Sequence, residues 1–275
     1  MGLKVALIGC GAIGTALAQA IDKGRAGGAE LVWLYDLKPE KSEALAKKLR
    51  SKPRIAKSMA EIYADKTVGM VIEAASQLAV EQCSTDVLRS GKDLMVMSVG
   101  AFADERLLKS VRSAAGLSGH KIYIPSGAIL GIDGVKAADL GEIEEVTLTT
   151  RKPPAALAYS TYLKKSGIKL RGLKKARMVF DGPARKAVKA FPRSVNVAAT
   201  LSLAGIGLDK TRVRVIADPK LRHNVHEIRV RGKAGEFVIK MKNVPFPDDP
   251  KTSYLAALSA IRTLRNLSES IQIGT

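Results

Sequence analysis

The 275-residue chain is poor in the residues on which several kinds of chemistry depend. It has two cysteines, Cys10 and Cys83, and three histidines, with no metal-ligand spacing among them. A disulfide framework and a zinc-finger site are therefore excluded, and no resident metal is expected. Aromatic residues make up 4%, too few for the stacking platforms of a single-stranded nucleic-acid binder. No apolar run approaches the length of a membrane span. The chain opens directly on its first apolar run, so no secretory leader is expected and the cytoplasm is the expected compartment. Acidic residues are outnumbered, 26 against 45 Lys and Arg, for a formal charge of +19. The basic residues are scattered and carry no RNA-binding signature, so neither nucleic acid nor membrane is an expected partner. Two readings of the imbalance stay open: a field that draws in anionic small molecules, and a basic solvated surface without a ligand role.

What the chain does have begins at Lys4. An apolar run to Ile8 feeds into Gly9-Cys10-Gly11-Ala12-Ile13-Gly14, a helical stretch follows over Thr15–Ile21, and a second apolar run, Leu31–Tyr35, stops at Asp36. Glycine spacing alone is weak, but a Gly-x-Gly-x-x-Gly loop between strand and helix, with an acid about twenty residues on, is a dinucleotide fingerprint. Gly9 serves the tight turn, Gly11 the approach of a pyrophosphate, and Gly14 the close packing of helix on sheet. The N–H groups of the helix start, at Ala12 and Ile13, face the phosphates. Asp36 suits the ribose hydroxyls of NAD, and Lys38 partly offsets that preference, so NAD or NADP is the expected cofactor.

The first half continues in alternation. Helices are expected over Pro39–Arg50, Leu78–Ser90 and Asp104–Ala115, and strands over Val68–Ile72, Asp93–Met97 and Lys121–Ile124. The fold class is therefore α/β, a Rossmann-type doubly wound parallel sheet. Its strand ends make Ala75–Ser76, Ser98–Gly100 and Ser126–Ala128 candidate ligand turns. Beyond Pro125 the pattern changes to strands over 142–150, Ala176–Phe180, Arg212–Ile216, His226–Val230 and Glu236–Met241. Helices over Ala184–Ala190 and Pro192–Ala204 lie among them. These form a second α/β (α+β-like) domain with a mixed sheet, over 126–245. A helix over Tyr254–Leu267, capped from Asp249–Ser253, returns to the first domain, so that residues 1–125 are completed by 246–275.

Of the three histidines, His120 sits in a turn at the surface, and His223 lies with His226 in Asp218–Ile228, just ahead of the strand. His226 lies in a strand where alternation puts Asn224, His226, Ile228 and Val230 on the apolar side. A polar ring there is either a satisfied core histidine or a working acid–base group. Asn196, in an otherwise apolar helix, needs a partner; a nicotinamide carboxamide and nearby backbone both qualify.

At these residues the chain resembles the L-aspartate dehydrogenase family. The resemblance is carried by Glu73–Ser76, Met97–Phe102, Ile124–Ala128, Thr149–Pro154, Phe191–Thr200, Asp218–Pro219 with Asn224–Ile228, and Pro250–Ser253. It covers nearly the whole chain and departs at Ser194, where the family pattern has Asn. The resemblance implies NAD(P)-dependent oxidative deamination of L-aspartate to iminoaspartate, which hydrolyses to oxaloacetate and ammonia, with a possible link to NAD biosynthesis. It implies His226 as the catalytic residue, with Ala128 and Asn196 against the cofactor and Asn224 on the substrate side. A homodimer or homotetramer and a dicarboxylic amino acid as substrate are further implications. A related two-domain oxidoreductase, of homoserine dehydrogenase or dihydrodipicolinate reductase type, is the alternative.

Overall fold

Apolar runs flanked by glycine turns become the strands of a parallel sheet in the computed structural model, which describes residues 2–158, 160–192, 196–246 and 253–274. The first elements are β1 (Leu3–Ile8), α1 (Ala12–Asp22), β2 (Ala29–Tyr35), α2 (Pro39–Ala46), β3 (Arg54–Ile55), α3 (Met59–Ala64), β4 (Met70–Glu73), α4 (Gln77–Arg89), β5 (Asp93–Val96), α5 (Glu105–Ser118) and β6 (Ile122–Tyr123). The strand order is β3-β2-β1-β4-β5-β6 and every pairing is parallel, the doubly wound arrangement the fingerprint anticipates. All four residues of β4 and the last four of β1 are buried, as expected for strands covered on both faces.

The remaining elements are α6 (Ile132–Asp139), β7 (Ile143–Lys152), α7 (Pro154–Leu157), α8 (Thr161–Lys165), β8 (Arg177–Pro183), α9 (Ala184–Ala190), α10 (Asn196–Ala204), β9 (Arg212–Ala217), β10 (Val225–Gly232), β11 (Gly235–Lys242) and α11 (Tyr254–Asn266). Their sheet runs β11-β10-β7-β9-β8. It is mixed, since β7 and β9 are parallel and the other pairs antiparallel. The chain forms two compact units, Met1–Gly127 with Ala256–Gln272, and Ala128–Leu255 with Ile273–Thr275. In the first, Ala260 and Leu264 of α11 enter the core formed by Val5, Leu7, Leu34, Met70 and Ile72.

Several details differ from the periodicity, α7 and α8 being short helices it does not show. The helix expected to Arg50 stops at Ala46, because its last turn tightens: Lys48 N–H bonds to Leu45 O at 2.9 Å and Leu49 N–H to Ala46 O at 3.1 Å. The Asp22 carboxylate then takes the N–H groups of Arg50 and Ser51. The short β3, α3 and α6 fall in stretches with too few residues to show a period. Of the segment expected to cap α11, residues 249–252 lie outside the described residues.

One buried acid fixes the ends of β4 and β5. Glu73 is 0% exposed. Its Oε1 accepts the N–H groups of Ala75 (2.8 Å) and Ser76 (2.9 Å) and the Ser98 hydroxyl (2.8 Å). Its Oε2 accepts Ser98 N–H at 2.9 Å and Met97 N–H at 3.3 Å. Burial pushes its carboxyl pKa up, and the Ser98, Ala75 and Ser76 donors oppose that shift by favouring the ionised form. Glu73→Gln sets an amide NH₂ against backbone donors and is expected to destabilise the chain by roughly 2–3 kcal/mol. Urea unfolding of variant and wild type checks this.

Candidate active site

In the first unit the glycine loop is shaped by contacts that a side chain would break. Gly9 has φ +98°, and a Cβ there would lie 2.7 Å from both the Ala74 carbonyl and the Ala75 methyl. A Cβ at Gly14 would stand 1.9 Å from Gly9 O, so α1 crosses the loop at a distance only glycine allows. Beside Gly11 a Cβ would meet nothing within 4 Å. Gly11 caps α1 without a side-chain acceptor and the first turn has no acid, so the N–H groups of Ala12, Ile13 and Gly14 are left for an anion. A cavity of about 280 Å³ opens here, lined by Gly9, Gly11, Asp36, Ala75 and Ser76 together with Lys38 and Lys41. Ala12 and Ile13 stand at the start of α1 rather than in that lining.

Asp36 closes the far end. Its Oδ2 accepts Cys10 N–H at 2.8 Å and its Oδ1 accepts Lys38 N–H at 3.0 Å. The carboxylate is thereby fixed in orientation, with acceptor capacity left for ribose hydroxyls. Burial, and secondarily the Asp36 charge, push the Cys10 thiol up to about 12, so it is unreactive near neutral pH. Open space beside Gly11, free helix-start donors and an oriented acid together fit a dinucleotide. Gly9, Gly11, Ala12, Ile13 and Gly14 would hold its phosphates and Asp36 its adenosine ribose.

The second unit places its chemistry on one sheet face. Antiparallel pairing of β7 and β10 aligns Val146 with Val230, Leu148 with Ile228, and Thr150 with His226. All six are buried. The strip is aliphatic for two rows and then turns polar. His226 is 2% exposed, and its Nδ1 lies 3.0 Å from Thr150 Oγ1. Among the described residues its Nε2 has no hydrogen-bond partner. Two residues further along β7, Lys152 is 5% exposed. Burial first, and the Lys152 charge second, push the His226 imidazole down to about 3. Burial alone pushes the Lys152 ammonium down to about 8.

Asn243, 5% exposed just beyond β11, joins this end: its N–H donates to Asn224 O at 2.9 Å and its Nδ2 to Ala128 O at 2.9 Å. The second unit thus brings Ala128, Asn224 and His226 to one polar end. Asn196 heads α10, while Ser194, beside it, lies outside the described residues. His120 pairs with Asp93 at 3.1 Å in the first unit and has no part in this cluster.

Sequence reasoning did not single out Thr150, Lys152, Asn243 or Glu73. The strand expected to end at 150 runs to Lys152, and extending its alternation to the Pro153 break would have put Lys152 on the apolar face. Asn243 and Glu73 act through contacts 115 and 25 residues away, which no local pattern reports.

Comparison with known proteins matches two successive stretches of the chain. Residues 9–125 match the family described as homoserine dehydrogenase, NAD binding domain, and residues 133–267 match aspartate dehydrogenase, C-terminal. The L-aspartate dehydrogenase of Methanosarcina barkeri is 50% identical over 273 residues, 99% of this chain and 100% of the relative. That of Methanosarcina mazei is 49% identical over 274 residues, again 99% and 100%. The crystal structure of aspartate dehydrogenase from Thermotoga maritima covers 100% of both chains with a TM-score of 0.78 and 30% identity. With residues 9–125 matching an NAD-binding domain, residues 133–267 matching the aspartate dehydrogenase C-terminal family and full-length relatives at up to 50% identity, the chain belongs to the L-aspartate dehydrogenase family.

Proposed function

We propose that the chain oxidises L-aspartate to iminoaspartate, which water converts to oxaloacetate and ammonia, with NAD favoured over NADP as hydride acceptor. The observation that carries the reading is a buried imidazole, kept uncharged by its surroundings, on the polar end of the β7–β10 strip. Bound in the glycine-loop cavity, the nicotinamide cofactor supplies a two-electron acceptor for the Cα hydrogen. The protein's own task is then to move protons. The substrate nitrogen must shed a proton as the C=N bond forms, and the hydrolytic water must shed another as it adds to the imine.

Neutral His226 is the group suited to accept them. Thr150 is within hydrogen-bond distance of Nδ1, which orients the ring and leaves Nε2 for substrate or water. Asn224, at the head of β10, lies on the substrate side. The family resemblance supports Ala128 and Asn196 as further cofactor-binding residues. A homodimer or homotetramer, a cytoplasmic setting and a role in supplying iminoaspartate to NAD biosynthesis belong to the same proposal.

Asp36 favours NAD by accepting from ribose hydroxyls and repelling a 2′-phosphate, against the pull of Lys38 and Lys41 in the same cavity. Asp36→Ala is expected to lower the NAD/NADP ratio of kcat/KM by about tenfold or more, the equivalent of one charged hydrogen bond. Initial rates with each cofactor measure this, and an unchanged ratio removes Asp36 as the selector.

The function itself is tested by following NADH formation from L-aspartate, with L-homoserine as the competing substrate. Oxidation of homoserine but not aspartate overturns the reading. In His226→Gln, kcat is expected to drop by roughly 10²–10⁴-fold, the usual worth of a general base. The KM for NAD should stay within about twofold, since His226 is far from every cofactor-phosphate residue in sequence and belongs to a different unit.

His226 also leaves a signature in stability. Its folded pKa is depressed to about 3 from the ordinary 6.5. Below pH 6.5 the unfolded chain takes up a proton that the folded chain refuses, so the stability from a neutral imidazole is full above 6.5 and is lost as pH falls toward 3. Urea-unfolding free energies across this window should therefore fall more steeply for wild type than for His226→Gln, by the slope of one proton.

A further inference from the structure

The polar end of the strip contains a cation with no anion. Lys152 is 95% buried, being 5% exposed. Among the described residues its Nζ has neither a hydrogen-bond nor an ion-pair partner, and no carboxylate charge acts on it. Asp218, the acid nearest in the pairing, turns its carboxylate to Arg151, which projects from the opposite face of β7. Around Lys152 on its own face the strands present Thr150 from β7, Ala217 from β9, and Asn224 with His226 from β10. From β11 come Met241, opposite His226, and Asn243 beyond it. None of these carries a charge while His226 is neutral.

An ammonium in such a place is costly unless an anion joins it. On the outer face of the sheet some cations have an acid beside them. Arg229 has Glu236 at 2.9 Å and Arg212 has Asp181 at 2.7 Å. Lys92, the other buried cation, is 1% exposed and donates its Nζ to Ser90 O at 3.4 Å, so Lys152 differs from it by having no partner among the described residues. Lys152 stands one alternation step from the residue opposite His226, the diagonal of an antiparallel pair, about 7–8 Å between backbones. That spacing suits two side chains that grip different ends of one small molecule.

We propose that Lys152 receives a carboxylate of the substrate, as the binding residue that seats a carboxylic amino acid against His226. The proposal rests on the aspartate-oxidising reading of this site and names the group that reading lacks. It carries a consequence for His226. Lys152 is the one charge that acts on that imidazole among the described residues. A carboxylate seated on the ammonium offsets its field, so the base gains proton affinity when substrate is in place. The free site holds the ring neutral, and the occupied site lets it take the proton.

The probe for binding is succinate, a dicarboxylate without the amino group to be oxidised, titrated calorimetrically into the NADH complex of wild type, Lys152→Met and Lys152→Arg. Losing one charge-assisted contact is expected to weaken succinate by about 30–100-fold in Lys152→Met, with part of that recovered in Lys152→Arg. The KM for L-aspartate should rise by a similar factor while the KM for NAD is unchanged. In wild type, the His226 imidazole followed by NMR should titrate at higher pH with succinate bound than without it. That measurement needs no variant to fold. Wild-type affinity for succinate in a folded Lys152→Met, or an unmoved His226 titration, overturns the proposal while leaving the enzymatic reading standing. Wild type that forms no NADH from L-aspartate overturns both.

Discussion

The pairing of β7 with β10 is the constraint on which the second unit's chemistry depends. One register fixes which side chains share the buried face, and a slip of one residue would exchange every one of them for the charged outer face. With the register as it is, Val146–Val230 and Leu148–Ile228 anchor the strip by aliphatic contact, and Thr150–His226 follows in the same two columns. Aliphatic rows supply the burial that stabilises the pairing. The polar row draws on that stability, because burying an imidazole and an ammonium costs free energy in the folded state. A sequence selected for stability alone would continue the aliphatic pattern to the strand ends. Buried polar residues with unpartnered nitrogens at the end of an otherwise apolar strip break that pattern, and such breaks are expected at functional sites.

The first unit depends on a different kind of constraint. Its glycine loop is local, and its physics is legible residue by residue: Gly9 needs a left-handed φ and Gly14 a contact distance that excludes any side chain. That is why the loop, the parallel sheet and Asp36 could be read from sequence. Glu73 could not, although it gathers the Ala75, Ser76 and Ser98 turns by accepting their N–H groups. A glutamate ending an apolar run looks like any solvated strand end. Its meaning comes only when β5 lies beside β4 and brings Ser98 within reach, a contact made by sheet order rather than by sequence neighbourhood.

The same distinction explains the second unit. Alternation around His226 was readable, and the burial of His226, Ile228 and Val230 follows it. Lys152 escaped because Lys-Pro-Pro reads as the start of a turn, while the strand holds its pairing with β9 through Lys152 itself, opposite Ala217. Asn243 escaped because its partners, Ala128 and Asn224, come from distant parts of the chain. Side chains whose role is set by one strand's period are legible early. Those whose role is set by where two strands or a loop meet become legible only with the fold.

Net charge illustrates how little a sum conveys about a site. A balance of +19 invites thoughts of polyanions, yet several of the second unit's cations have acids beside them on the solvated face, as in Arg212 with Asp181 and Arg231 with Glu144. Exposed pairs of this kind are screened by water and salt and contribute little each. Lys152 is a single charge among 45 Lys and Arg, but it is buried, where screening is weak, and its field helps push a neighbouring imidazole toward its neutral form. Position, through dielectric and want of a counter-ion, gives this one cation more effect on its neighbour than the surplus spread across the surface.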